Sequence, residues 1–349
     1  MIVHNSAASD LEMAGSVFDA LRRYLLKTLP DLGALIVCEK LAGGQSNPTF
    51  KLTCEEGSAV LRRKPPGVLL QSAHAIDREY RVLQALRGTS VPVGRVYAYV
   101  NDASIIGSEF YVMEFIPGRV LADPAMPDLS KSDRSDTYRS MVEVLVSIHA
   151  VDVDLVGLDG FGRPGNYFER QIRRWTKQYR ASEMEVIPEM EALIDRVTNK
   201  CVADDGRSAL VHGDYRLDNV MLHSSRPEII AVMDWELSTI GHPFADLAYQ
   251  CMQWRLPHSH VSRGLGGLDR SAFGIPSEQE YLATYCDLAG IDGIDEWEFY
   301  LLFSFFRLAA IAQGIKMRAI AGRASDARAQ QVGAMVQQLA SQALSIIGS

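Results

Sequence analysis

Residues 210–222 read LVHGDYRLDNVML. Two apolar residues lead into His212, Gly213 and Asp214, Asn219 follows, and the chain returns at once to an apolar run. An imidazole, a carboxylate and a carboxamide set this close to strand-like backbone must be hydrogen-bonded or must bind something, because burying them unpaired is costly. Downstream, EIIAVMD (228–234) can fold back on NVML (219–222) through the turn SSRP, which brings the Asn219 oxygen and the Asp234 carboxylate towards one place. Hard oxygen ligands in that number suit Mg²⁺, which keeps several waters and takes one or two protein ligands plus substrate phosphates. Asp214 then stays free to accept a proton from an incoming hydroxyl. Each residue also has a plainer reading, as an Asx-turn, a local amide bond and a helix cap.

The totals narrow the field. A chain of 349 residues with 47% hydrophobic content has the size of about two domains with large cores. Its net charge of −8 offers no broad attraction for a polyanion, so nucleic acid is not an expected partner. The five cysteines (38, 54, 201, 251, 286) are scattered without metal-ligand spacing and read as small apolar residues in a reducing compartment. The first fifteen residues lack the basic-then-apolar pattern of a secretory leader, and a cytoplasmic location is expected. FYLLFSFFRLAAIAQGI, from Phe299, carries Arg307 at its centre and predicts a buried helix rather than a membrane span. Oligomeric state is left open.

Spacing predicts a helix over 10–28 with Asp10 as its N-cap, and then an antiparallel meander through ALIVCEKL, TFKLTCEEG and SAVLRRK. A helix over 74–87 and two more strands, GRVYAYVND and SEFYVMEFI, follow. Beyond Pro117-Gly118 nearly every long segment is helical in pattern: 132–150, 167–182, 187–203, 243–254, 277–289, 295–320 and 326–347. The expected fold is α+β and bilobal, with a small antiparallel-sheet lobe over 1–117 and a larger, mainly helical lobe over 118–349 that carries the catalytic and metal-binding loops and the acceptor site.

His-Gly-Asp, four residues, Asn, and then Asp at a strand end resembles the catalytic and metal-binding loops of the protein-kinase-like fold. The usual His-Arg-Asp reads His-Gly-Asp here, and Asp-Phe-Gly reads Asp-Trp-Glu at 234–236. Both departures are similar to the aminoglycoside phosphotransferase and choline kinase branch. With VMDWELSTIGHPFADLAY and LRRKPPG, the chain resembles the kinase-like region of acyl-CoA dehydrogenase fusion proteins from about Leu35 to about residue 320. That resemblance implies ATP and Mg²⁺ as cofactors, a structural role for His212, and an Asp246 carboxylate that receives backbone amides of the 212–214 loop.

The first lobe then supplies a nucleotide grip. In LAGGQSNPTF, Gly43, Gly44 and Ser46 can let backbone amides and a hydroxyl approach phosphates, although a plain hairpin turn would look the same. Arg62 falls where the kinase fold has its phosphate-contacting lysine, with Lys64 on the same strand face as the competing candidate. Glu79 lies on the apolar stripe of its helix, an expensive place for an unpaired carboxylate, and is assigned to Arg62. FYVMEFIPG resembles the hinge, with the backbone of Glu114 to Ile116 offered to adenine.

No segment like Ala-Pro-Glu follows Asp234, so a small-molecule hydroxyl acceptor fits better than a peptide. Trp254, Arg255, His258 and Arg307 read either as acceptor-pocket residues or as packing and loop residues. The activity expected is transfer of the ATP γ-phosphoryl group to a small-molecule hydroxyl, with a hydroxyacyl compound or its CoA thioester as acceptor. An aminoglycoside or other metabolite acceptor, and a silent nucleotide-binding module, are the alternatives.

Overall fold

The structure is a computed structural model that describes residues 15–41, 47–65, 76–163, 165–259, 261–321 and 329–346. The chain divides into two compact units. The first holds the residues up to Arg119 together with Ile230–Leu237, and the second holds Val120–Ile229 and the chain from Ser238 on.

In the first unit, helix α1 (Ser16–Thr28) precedes strands β1 (Leu35–Lys40), β2 (Thr49–Cys54) and β3 (Ser58–Arg63). Helix α2 (Ile76–Ala85), β4 (Val96–Val100), β5 (Phe110–Glu114) and the short β6 (Gly118–Arg119) follow. The first five strands form an antiparallel sheet in the order β1-β2-β3-β5-β4. Period-two alternation turns Phe50, Leu52 and Cys54 inward on β2. They meet Leu21 and Leu25 of α1 and Leu61 and Val112 of the sheet in one core. The expected Asp10 cap, and Gly43, Gly44 and Ser46, lie outside the described residues.

The second unit contains α3 (Lys131–His149), α4 (Tyr167–Ser182), α5 (Pro188–Asn199), β7 (Ala209–Val211) and β8 (Val220–His223). After β9 (Ile229–Val232) come β10 (Thr239–Gly241), α6 (Phe244–Cys251), α7 (Arg270–Phe273), α8 (Glu278–Ala289), α9 (Trp297–Ile320), α10 (Ala329–Ala334) and α11 (Val336–Ile346). Helix α9 is the centre of this unit and packs against α4, α5, α6, α10 and α11. It is long and apolar enough to cross a membrane by length and composition, but 72% of its most apolar window is buried inside the protein.

Three sequence expectations are corrected. The segment Ile230–Leu237 belongs to the first unit rather than to the helical lobe. Val232 N–H donates to the Pro92 carbonyl at 2.8 Å, and the 3₁₀ turn Trp235–Leu237 packs on α2. The last helix is broken at Met335, just after Gly333, where an added Cβ would stand 2.6 Å from the Lys316 Cβ of α9. Cys38 and Cys201 are half-buried rather than core residues, and all five cysteines are free thiols.

Candidate active site

In the second unit the loop after β7 is held from beneath by Asp246, in the first turn of α6. Its Oδ2 accepts the His212 N–H at 2.6 Å and its Oδ1 accepts the Gly213 N–H at 2.8 Å. Gly213 has φ +83°, a left-handed backbone that glycine adopts without strain. His212 Nδ1 accepts the Asp214 N–H at 3.2 Å, so the imidazole holds backbone. His149 Nε2 lies 3.6 Å from Asp246 Oδ2. Burial works against the Asp246 charge, but His149, His212 and the Gly213 amide outweigh it and hold the carboxyl below its ordinary range.

Asp214 projects from this braced loop with its side chain 21% exposed. Asn219, at the end of a 3₁₀ turn, donates through Nδ2 to Asp214 Oδ2 and to the Asp214 carbonyl, both at 2.8 Å. That orientation commits the amide nitrogen and leaves Oδ1 as the amide's acceptor atom. Burial, with the Asp214 negative charge adding to it, raises the Tyr249 phenol pKa. Arg216 Nε lies 3.6 Å from Asp214 Oδ1 and 2.9 Å from Asp218 Oδ1, while Arg263 Nη1 reaches Asp218 Oδ2 at 2.6 Å. Sequence reasoning missed Arg216, Tyr249 and Arg263. Only Tyr249 carried a signal, one helical turn beyond Asp246.

The first unit builds a chain of alternating charge. Arg62, on β3, places Nε 3.1 Å from Glu79 Oε2 and Nη2 2.7 Å from Asp234 Oδ1. The first contact is an ion pair by distance rather than a well-aligned hydrogen bond, and the second is a hydrogen bond. Burial opposes the Arg62 charge, and Glu79, Tyr111 and Asp234 outweigh it to raise its pKa. Glu79 is pushed up to about 7, by burial first, with Arg62 opposing. Lys64 lies past the end of β3, and its ammonium is 3.9 Å from Glu109.

Asp234 adopts φ +65°, a left-handed conformation uncommon outside glycine and a frequent mark of functional positions. Its side chain is 36% exposed. Among the described residues, no group of three or more His, Cys, Asp or Glu side chains is arranged to hold a metal ion. The Asp234 carboxylate and the Asn219 amide each offer a hard oxygen, the donor type that suits Mg²⁺. Glu114 N–H is committed to the Arg95 carbonyl at 2.8 Å, so this residue can serve a base only through its own carbonyl.

Three of the open acceptor candidates are packing or loop residues. Trp254 is buried against Tyr138 and Tyr281, Arg255 pairs with Glu278 at 2.9 Å, and His258 contacts Asp123 at 3.2 Å. Arg307 is buried and donates to the Gly213 carbonyl.

Residues 37–300 match the phosphotransferase enzyme family. The chain belongs to the phosphotransferase enzyme family. Mouse acyl-CoA dehydrogenase family member 10 is 48% identical over 298 residues, which cover 85% of this chain and 28% of the mouse protein. Human acyl-CoA dehydrogenase family member 11 is 39% identical over 94% of this chain and 42% of its own length. This chain thus spans less than half the length of either relative. A Ralstonia eutropha protein provisionally named an aminoglycoside phosphotransferase superposes with a TM-score of 0.85 at 44% identity, over 94% of this chain and 97% of that one. A thermostable mutant of aminoglycoside phosphotransferase APH(4)-Ia, solved with AMP-PNP and hygromycin B, shares the fold at 14% identity and a TM-score of 0.61, over 94% and 98%. Family membership supports a small-molecule kinase activity in general.

Proposed function

We propose that this phosphotransferase moves the γ-phosphoryl group of ATP to a hydroxyl of a small molecule, with Mg²⁺ as cofactor. The observation that carries the reading is the Asp214 carboxylate. It is partly exposed, held by the Asn219 amide, and mounted on amides clamped by buried Asp246. A carboxylate held in one orientation is what a reaction dominated by positioning requires. Asp214 aligns the acceptor hydroxyl and takes its proton as the oxygen attacks phosphorus. Arg62, oriented by Glu79, steadies the nucleotide phosphates through its planar fork.

Asn219 and Asp234 are the residues assigned to the metal. When bound, Mg²⁺ supplies charge neutralisation at the phosphate oxygens. The carbonyl of Glu114 and the backbone at Ile116 are assigned to adenine, and Gly43, Gly44 and Ser46 to the phosphates. For the acceptor, two relatives at 48% and 39% identity carry acyl-CoA dehydrogenase names, which favours a hydroxyacyl compound, presented as its CoA thioester.

ATP consumption measured against a panel of hydroxylated acceptors, including hydroxyacyl-CoA thioesters and aminoglycosides, tests the proposal. Acceptor-dependent formation of ADP and a phosphate ester is the expected result. ATP binding without turnover on any acceptor would favour a silent nucleotide-binding module instead.

A further inference from the structure

Outside the Asp214 loop, the second unit concentrates positive charge on one face of α4. Arg170, Arg173, Arg174 and Lys177 recur at spacings of three and four, and with Gln178 and Ala181 they line an open groove of about 500 Å³. The chain as a whole carries −8, so four cations on one helix face run against its average. Arg173 is paired with Glu169 at 2.7 Å. Among the described residues no carboxylate pairs with Arg174 or Lys177.

The groove is joined to the Asp214 loop through Trp175 and Arg307. The guanidinium carbons of Arg174 and Arg307 each lie 5.4 Å from the centroid of the Trp175 ring. Arg307 is 5% exposed, lies 5.0 Å from the Tyr249 ring centroid and donates to the Gly213 carbonyl. Arg307 Nε and Trp175 Nε1 are buried donors without a hydrogen-bond partner among the described residues. Arg174 is exposed by area, yet surrounding protein and repulsion from Arg307 lower its pKa. Cations held this close together on one helix face make a site that an anion would relieve.

We infer that this groove binds the phosphate groups of the acceptor, as an anionic handle held on α4 beside the loop that bears Asp214. The inference rests on the phosphotransferase reading for the acceptor's identity. The guanidinium forks of Arg173 and Arg174 match phosphate oxygens, and Lys177 adds a compact charge. The same charges repel a polycation, which separates this groove from any site built for an aminoglycoside.

Calorimetric titration of the full chain, saturated with Mg²⁺ and AMP-PNP so that the nucleotide site is filled, is the test. The probes are coenzyme A and pantetheine, which lacks the phosphates. Coenzyme A should bind, with affinity that falls as salt rises, and pantetheine should not. Arg174→Ala with Lys177→Ala should weaken coenzyme A by roughly tenfold or more and leave AMP-PNP affinity unchanged. Arg139→Ala, on an exposed cation of α3 paired with Glu143, should change neither. Equal coenzyme A affinity in the double variant, or no coenzyme A binding by a protein that still binds AMP-PNP, would overturn the inference. Binding of phosphatidylserine vesicles in place of coenzyme A would also overturn it, by assigning the face to a membrane surface. Loss of AMP-PNP binding would count against the kinase reading alone.

Discussion

Glu79 in the first unit and Asp246 in the second are both buried carboxylates, 1% and 0% exposed, yet they end on opposite sides of their ordinary range. Glu79 is pushed up to about 7, because burial outweighs a single guanidinium and Asp234 and Glu236 add repulsion. Asp246 is held low, because His149, His212 and the Gly213 amide outweigh the same burial. Backbone amides are fixed by the fold and serve one acceptor, whereas Arg62 is divided between Glu79 and Asp234. The Asp246 arrangement is therefore a permanent brace. The Arg62 arrangement is a clamp in which one guanidinium is shared between two carboxylates.

The largest effect should come from removing the brace. Asp246→Ala leaves two buried amides without an acceptor and should cost about 4 kcal/mol in denaturant unfolding of the second unit, at about 1–3 kcal/mol per stranded group. A loss under about 1 kcal/mol would show that the loop does not depend on Asp246. The clamp should matter less, because Glu79 can take up a proton when its partner goes. Arg62→Ala should cost about 2 kcal/mol, and Arg62→Ala with Glu79→Gln should lose less than the sum of the single changes. Strictly additive losses would dissolve the pair.

The smallest effect is a pH slope. Between the ordinary glutamate value of 4.5 and about 7, the folded state holds more protons at Glu79 than the unfolded state does. Its contribution to stability therefore falls as pH rises through that window, and Glu79→Gln should remove this component. Asp246 has the opposite sign. Its contribution is present above the ordinary aspartate value of 3.8 and is lost as pH falls through the lower folded value. Parallel stability curves for wild type and Glu79→Gln between pH 4.5 and 7 would contradict the raised Glu79 value.

The legible parts of the molecule were those where burial made a polar residue conspicuous. Asp214 and Asn219 interrupt apolar strand ends, and Glu79 sits on an apolar helical stripe, so each stood out by its cost. The Asp246 clamp was legible only through family resemblance, since an acid in the first turn of a helix is ordinary in itself. Arg216 and Arg263 could not be found, because partly exposed arginines near acids look like any solvated surface. The return of Ile230–Leu237 to the first unit was hidden for another reason. Chain order says nothing about a hydrogen bond between Val232 and Pro92, 140 residues apart.

The central claim is that the braced Asp214 carboxylate aligns and deprotonates an acceptor hydroxyl. Asp214→Asn keeps the shape and removes the proton acceptor. Direct detection of the phosphate ester formed by wild type and variant, beside calorimetric binding of Mg²⁺ and AMP-PNP to both, is the most direct measurement. Unchanged nucleotide affinity with product formation lowered by about a hundredfold or more is the predicted result. Product formation at the wild-type rate would contradict the claim.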